Sequence, residues 1–295
     1  MAPHEIGRIH GAQVHDGPVG QHAALALDAS GSGREALGWI VPNHALRRTA
    51  FEIAATEPGV QIITQARVLN VRTLPTHAEV EFQDASAPDL PPQRLCAPLV
   101  VAADSRFSNT RRQLGMGAAI TDFGRTVIVC RMRHELPHDD TAHECFGYER
   151  TLAILPLPSD WLDGQPQCSA VVTADAEQAR ALLELPAEEF TAQVAAQFGH
   201  RLGAMTLVGE RHAYPLVAVY AHRFSGPRCA LLGDAAVGMH PVTAHGYNLG
   251  LSGVHSLTHL LQTAYARGQD LGAASVLQPY ASAHHRHAWP LFQGR

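Results

Sequence analysis

The stretch Arg228–Gly253, RCALLGDAAVGMHPVTAHGYNLGLSG, constrains the fold more than any other part of the chain. Its apolar run Cys229–Leu232 suits one buried strand, and Gly233-Asp234 ends it. Small residues follow (Ala235, Ala236, Gly238), then Pro241 and the Gly246-Tyr247-Asn248 break. From Leu249 to Leu261 apolar residues recur at helical spacing. A strand, a carboxylate just past its end, a small-residue turn and a helix follow in that order. Open α/β sheets bind ligands in the crevice at the carboxyl ends of their strands. Small residues let a bulky ligand approach the backbone, and the helix N-terminus offers free N–H groups to an electronegative one. The plainer reading is a strand-turn-helix with no ligand.

The arrangement occurs twice. Leu99–Ala103 is a second short apolar run that ends at Asp104 and continues Ser105-Arg106-Phe107-Ser108-Asn109-Thr110-Arg111. By itself this also reads as a strand leading into a helix capped by Asp or Ser. Between the two stretches strand signals dominate: Thr126–Met132, Leu152–Leu155, Ser169–Thr173, Leu207–Glu210 and Tyr214–Val219. Helical patterns at Ala176–Leu183 and Ala187–Phe198 flank Pro186. Upstream, the spacing predicts strands at Ile6–His10, Ala23–Ala29, Val60–Ile63, Ala66–Val71 and Ala78–Phe82. It also predicts a helix over His44–Ala55 with Asn43 as N-cap. A last helical stretch, Ala273–His287, is expected to break at Pro279.

With 295 residues the chain can bury a large core. The net charge of −5 gives no basic footprint for nucleic acid. The five cysteines form no CxxC pair, which argues against a disulfide framework or a structural zinc and predicts reduced thiols in a cytoplasm. No apolar run approaches the roughly 18 residues of a spanning helix, and MAPHEIGRIHG lacks a signal-peptide core. A soluble cytoplasmic protein is expected, with room for peripheral contact to the inner membrane. There is no HExxH, P-loop or GxSxG motif, so no metal is expected. His143-Glu144-Cys145 lies in strand-rich sequence, where neighbours face opposite sides. His284, His285 and His287 read as a solvated helix face.

The order GDAA…HP…GxNLG resembles the second FAD fingerprint of the flavoprotein aromatic hydroxylases, the p-hydroxybenzoate hydroxylase type. Asp104, Ser108 and Arg111 resemble that family's middle motif, with Ser105 where glycine is usual. The resemblance runs from about Gly38 to Arg295 and is nearest the ubiquinone-biosynthesis subgroup of UbiH-, UbiF- and UbiM-like members. The wording ADSRFSNTRR and HPVTAHGYNLGL looks most like the UbiM type. It implies an α/β fold: an incomplete Rossmann-like FAD-binding domain with an inserted strand-rich substrate domain on a mixed sheet. The implied division is 1–122, partial FAD-binding domain; 123–220, substrate domain; 221–295, flavin-contacting part and C-terminal helices.

It further implies that Gly233 and Asp234 meet the ribityl and pyrophosphate of FAD. Pro241, Ala244, His245, Gly246, Asn248 and Leu249 would lie beside the isoalloxazine, the last two offering backbone N–H groups. Val68 would contact adenine, Asp104 would be near FAD, and His44 and Arg48 would contact FAD from a helix. The implied chemistry is hydroxylation of a phenolic or quinol ring such as demethoxyubiquinol, with O₂ as oxidant and NAD(P)H as reductant. His240 and His245 are candidates for proton transfer there. The sequence departs from the family at Val237, at Ala244-His245 and, above all, in lacking a GxGxxG unit before Met1-Ala2-Pro3-His4; its C-terminal end is also short. A second reading follows from those departures: a remnant that binds FAD weakly or not at all, or that works with a partner supplying the missing unit. A halogenase or prenyl reductase relative would share the same motif.

Overall fold

A computed structural model describes residues 1–17, 19–240 and 245–293. Pro241 and Ala244 lie outside the described residues. The chain forms two compact units, one from Met1–Ile62 and Gly124–Leu216, the other from Ile63–Phe123 and Val217–Arg295. Residues 1–62 thus share a body with the strand-rich block, whereas the sequence-based division grouped them with residues up to 122.

In chain order the first unit opens with β1 (Gly7–Ile9), β2 (Gly11–Asp16), β3 (Leu25–Asp28), β4 (Gly38–Ile40) and α1 (Asn43–Thr56). The second unit follows with β5 (Ala66–Thr73), β6 (Ala78–Asp84), β7 (Gln93–Ala97), β8 (Val100–Ala102) and α2 (Asn109–Gln113). The long strand β9 (Ala118–His134) carries the chain back to the first unit. There β10 (Thr141–Phe146), β11 (Thr151–Leu157), β12 (Gln167–Asp175), α3 (Ala176–Glu184) and α4 (Ala187–Gln197) form. The second long strand, β13 (Met205–Ala221), returns to β14 (Ser225–Gly226), β15 (Cys229–Leu231), β16 (Val237–Gly238), α5 (Gly246–Ala266) and α6 (Ala274–Gln293).

The first unit is built on a mixed sheet ordered β13-β9-β12-β11-β10-β2-β3. All pairs described by residue are antiparallel except β10 with β2. Period-two alternation assigns the faces. Ile128, Cys130 and Met132 of β9, with Ala170, Val172 and Ala174 of β12, pack against Phe190, Val194 and Phe198 in a dry core. Val129, Arg131 and Ser169 fall on the opposite face, where they line a cavity.

In the second unit the two apolar runs form strands that pair in parallel. Cys229, Ala230 and Leu231 lie in register with Val100, Val101 and Ala102. Its core gathers Ala230, Leu231, Tyr220, Phe224, Leu249, Leu257, Leu277, Tyr280 and Phe292. Strands β5, β6 and β7 make a separate antiparallel meander.

Three local expectations are corrected. Val60–Ile63 forms no strand; the segment is irregular and Val60, Ile62 and Ile63 are exposed, so no sheet face buries it. Asn43 is the first helical residue of α1, with Pro42 before it, and no side chain caps the helix. Pro279 does not break α6, which continues past it and past Pro290. A helical proline costs about 3 kcal/mol, and α6 offsets it by burying Val276, Leu277, Tyr280, His284, Ala288 and Phe292 along one face. Strands β2 and β7 gave no sequence signal, nor did the two-residue strands β14 and β16. In β2, GAQVHD, and in β7, QRLCA, too few apolar residues alternate to reveal a strand.

Candidate functional site: paired strand ends

The in-register pairing of β8 with β15 brings the two carboxylate motifs to the same edge of the sheet. Leu231 lies opposite Ala102, and the chain leaves β15 with Leu232 donating its N–H to the Ala102 carbonyl at 2.9 Å. Asp104 and Asp234 thus follow neighbouring parallel strands. The residue that joins the motifs is Arg106. Its Nε and Nη2 donate to Asp234 Oδ2 at 3.1 and 2.9 Å, and its Nη1 donates to the Val217 carbonyl at 2.9 Å. Nothing in the motif spacing singles out Arg106. The signal is electrostatic: two carboxylates at adjacent strand ends call for a cation between the motifs.

The two aspartates do different work. Ser108 Oγ donates to Asp104 Oδ1 and the Thr110 N–H donates to Oδ2 at 3.0 Å. Ser108 caps α2 by accepting from the Arg111 N–H at 2.9 Å. Burial disfavours the Asp104 charge, yet the bonds from Ser108 and Thr110 outweigh it and hold the carboxyl below its ordinary value. Asp104 therefore builds the turn, as the capped-helix reading anticipated. Asp234 keeps Oδ1 without a hydrogen-bond partner among the described residues, with its side chain 35% exposed. Of the two aspartates it is the one with a carboxylate oxygen left for a ligand hydroxyl.

Arg111 is 3% exposed and points inward. Its Nη1 donates to the Ala235 carbonyl at 2.8 Å, and Nη1 and Nη2 reach the Arg106 carbonyl at 3.2 Å. It ties α2 to the turn that carries Asp234. Burial draws its pKa down, but a guanidinium stays charged at neutral pH.

Ser105, where the resembled family has glycine, has φ +74°. The left-handed region costs a residue with a Cβ about 1 kcal/mol. Ser105→Gly is expected to raise the unfolding free energy by about 0.5–1 kcal/mol in urea titrations. An equal or lower midpoint would contradict this account of the turn.

Gly233 has φ +58° and open space where a Cβ would stand, and the Cβ position of Gly250 in α5 lies 3.7 Å from its Cα. Helix α5 therefore approaches the turn closely. Among the described residues no side chain caps its N-terminus at His245, and the first amides of an α-helix have no intrahelical acceptor. Asn248 is exposed at this end, while Leu249 turns its side chain into the core. These features suit the flavin end of FAD: a carboxylate oxygen without a partner among the described residues for a ribityl hydroxyl, a glycine with open space at its Cβ position, and helix amides for an electronegative ring edge.

The remaining predicted residues are placed as follows. Val68 is 46% exposed on β5, beside an irregularity at Val68/Asn70. His240 meets Phe123 edge-on at 4.9 Å, and His245 is exposed. His44 and Arg48 belong to the other unit. Arg48 pairs with Glu5 at 2.5 Å, and the bond pulls the Glu5 pKa down to about 2. His44 lines a cavity of about 670 Å³ together with Arg131, Ser169, Glu210, His212 and Tyr214.

His143-Glu144-Cys145 sits in β10 with alternating faces, as anticipated. Burial pushes the Cys145 thiol up to about 12, so it is no nucleophile. Of the terminal histidines His284 is buried, against expectation, because α6 turns it toward Tyr280 and Phe224.

The α/β fold with a mixed sheet is one that this chain shares with FAD-dependent monooxygenases of known structure. The FAD binding domain family model matches residues 16–294, and the chain belongs to that family. It is 44% identical over 273 residues to ubiquinone hydroxylase UbiM of Neisseria meningitidis serogroup C, covering 92% of this chain and 56% of that protein. It is 35% identical over 244 residues to ubiquinone hydroxylase UbiL of Rhodospirillum rubrum, covering 83% and 54%. The chain thus spans about half the length of these curated relatives. Among solved structures, PqsL of Pseudomonas aeruginosa, a probable FAD-dependent monooxygenase, superposes with a TM-score of 0.75 at 19% identity, over 98% of this chain and 76% of that one.

Proposed function

We propose that the chain is the flavin-end and substrate-binding part of an FAD-dependent monooxygenase that hydroxylates a phenolic or quinol ring, a ubiquinone precursor such as demethoxyubiquinol. The observation that carries the reading is the Arg106–Asp234 pair at the ends of two in-register parallel strands. The similarity to two ubiquinone hydroxylases supports the substrate class.

In this reading Asp234 Oδ1 accepts a hydrogen bond from a ribityl hydroxyl, Arg106 fixes that carboxylate, and Arg111 holds the turn. The first-turn amides of α5, that of Asn248 among them, face the pyrimidine edge; the Leu249 N–H, expected to join it, instead donates to the His245 carbonyl at 2.9 Å. Pro241, Ala244 and His245 line the isoalloxazine, Asp104 and Val68 flank the cofactor, and His44 and Arg48 contact it. Bound FAD, reduced by NAD(P)H, supplies the oxygen activation. The protein positions the ring and excludes water. The cavity of about 670 Å³ falls within the size range of small-molecule sites and is assigned to the ring substrate. His240 and His245 are the residues assigned to proton transfer. Residues 1–122 and 221–295 would form the FAD-binding part and 123–220 the substrate part.

Among the described residues no helix is long and apolar enough to cross a membrane. A cytoplasmic location with peripheral contact to the inner membrane, or to a biosynthetic complex, completes the proposal.

The test is NAD(P)H oxidation by the chain supplied with FAD and O₂. A demethoxyubiquinol analogue is expected to speed the oxidation at least tenfold with formation of the hydroxylated ring. Bound FAD with no stimulation by any quinol would reject the substrate class. No FAD bound would favour the reading of a remnant that needs a further βαβ unit.

A further inference from the structure

The meander β5-β6-β7 carries a cluster that the flavin site does not use. On β6, Glu79 lies directly opposite Cys96 of β7, and His77 immediately precedes β6. One donor atom from each of His77, Glu79 and Cys96 lies within 4.8 Å of the others. His77 Nε2 is 3.2 Å from Glu79 Oε1. From these residues we propose a surface binding site for one soft divalent transition-metal ion of the zinc class, held by His77 Nε2, Glu79 Oε1 and the Cys96 thiolate, with water as the fourth ligand.

Three observations shape the site. The donors form a mixed nitrogen, oxygen and sulfur set, which tetrahedral zinc accepts. Ligand atoms around tetrahedral zinc stand roughly 3.3–3.8 Å apart, from bonds of 2.0–2.3 Å, so the donors need close by about 1.5 Å at most. The supporting bonds are already in place. Thr76 Oγ1 lies 3.0 Å from His77 Nδ1, so the hydroxyl can accept from Nδ1–H and leave the Nε2 lone pair for a metal. Arg72 Nε donates to Glu79 Oε2 at 2.5 Å, which fixes the carboxylate with Oε1 turned to the cluster. Arg94 Nη1 is 4.0 Å from the same Oε2. Both arginines sit on the far oxygen and are more than half exposed, so water screens their repulsion of a cation. On binding, the thiol proton leaves to solvent, and the neutral imidazole binds through Nε2 with its one proton on Nδ1.

Residue spacing does not reveal this site, because its ligands come from two antiparallel strands and not from a CxxC motif. Cys96 is also the one exposed thiol; Cys130, Cys145, Cys168 and Cys229 are buried. That difference makes the test selective.

The untagged chain is titrated with Zn²⁺ while the reaction of its exposed thiol with a disulfide reagent is followed. One equivalent of Zn²⁺ is expected to slow Cys96 labelling at least tenfold. Co²⁺ under anaerobic conditions should give a thiolate-to-metal charge-transfer band. Cys96→Ser must abolish that band, and His77→Gln and Glu79→Gln must each weaken Co²⁺ binding at least tenfold. Cys96 is exposed and His77 half-buried, whereas Glu79 is buried, so an unchanged circular dichroism spectrum is needed to show that each variant folds. Labelling that ignores Zn²⁺, or a Co²⁺ spectrum without a sulfur band, would overturn the proposal. So would equal affinity in His77→Gln and the wild type.

Discussion

Arg111→Met is expected to lower the unfolding free energy by about 3 kcal/mol, the scale of removing a buried charged donor from two or more hydrogen bonds. Methionine fills much of the same space, so a cavity contributes little. What is lost is the fork that reaches the Ala235 and Arg106 carbonyls from a residue 3% exposed. Those acceptors lie in the two segments that carry Asp234 and Arg106, so FAD affinity is expected to fall with stability. Arg111→Lys should recover only part of the loss, because an ammonium cannot span both carbonyls. Urea titration followed by tryptophan fluorescence reads the effect. A midpoint within error of the wild type would show that Arg111 is not the strut between the motifs.

Acid is expected to destabilise the protein well above the range in which carboxylates titrate. His284 is buried, stacked on Tyr280 and tilted against Phe224. His143 meets Phe198 edge-on at 4.9 Å and shares a 3.3 Å hydrogen bond with His15. Burial draws both His143 and His284 down to about 4. It also lowers His15 and His134. These side chains are neutral in the native state and take up protons on unfolding. Their contribution is complete above the unfolded value of about 6.5 and is lost as pH falls from there toward about 4 for His143 and His284.

Each such group adds a slope of up to about 1.4 kcal/mol per pH unit inside that window, so His143 and His284 together give up to about 2.7. The lowered carboxylates, Asp104 among them, act only at lower pH, where their own protonation begins. Urea midpoints between about pH 7 and pH 5 should fall steeply, and His284→Gln should flatten the dependence. A midpoint constant to pH 5 would contradict the assignment of neutral buried rings.

The sequence made the strand ends readable for a physical reason. Short continuous apolar runs mark Leu99–Ala103 and Cys229–Leu232 as strands, and a polar residue follows each where the chain leaves the sheet; their parallel pairing comes from the structure. The long helix α5 and the alternating strands β9 and β12 were legible through periodicity for the same reason. The partners of the side chains were not legible. Arg106 and Asp234 are 128 residues apart, and only the in-register pairing of β8 with β15 brings their segments together. Pro279 misled because a local penalty was outweighed by the buried face of α6, and Val60–Ile63 because apolar residues without a sheet face to bury them stay irregular. The polar strand β7 was hidden, and with it the cluster around Cys96.

The central claim is that the turn carrying Asp234 holds the flavin end of FAD. Titration of the chain with FAD, read by the shift of the flavin absorption bands and the quenching of flavin fluorescence, tests it directly when the wild type is compared with Asp234→Ala. Saturation near one equivalent is expected for the wild type. Loss of the charged acceptor should weaken binding at least tenfold, the order of 1.5–3 kcal/mol for a hydrogen bond to a charged group, while the circular dichroism spectrum stays unchanged. Equal FAD affinity in the two proteins would contradict the claim.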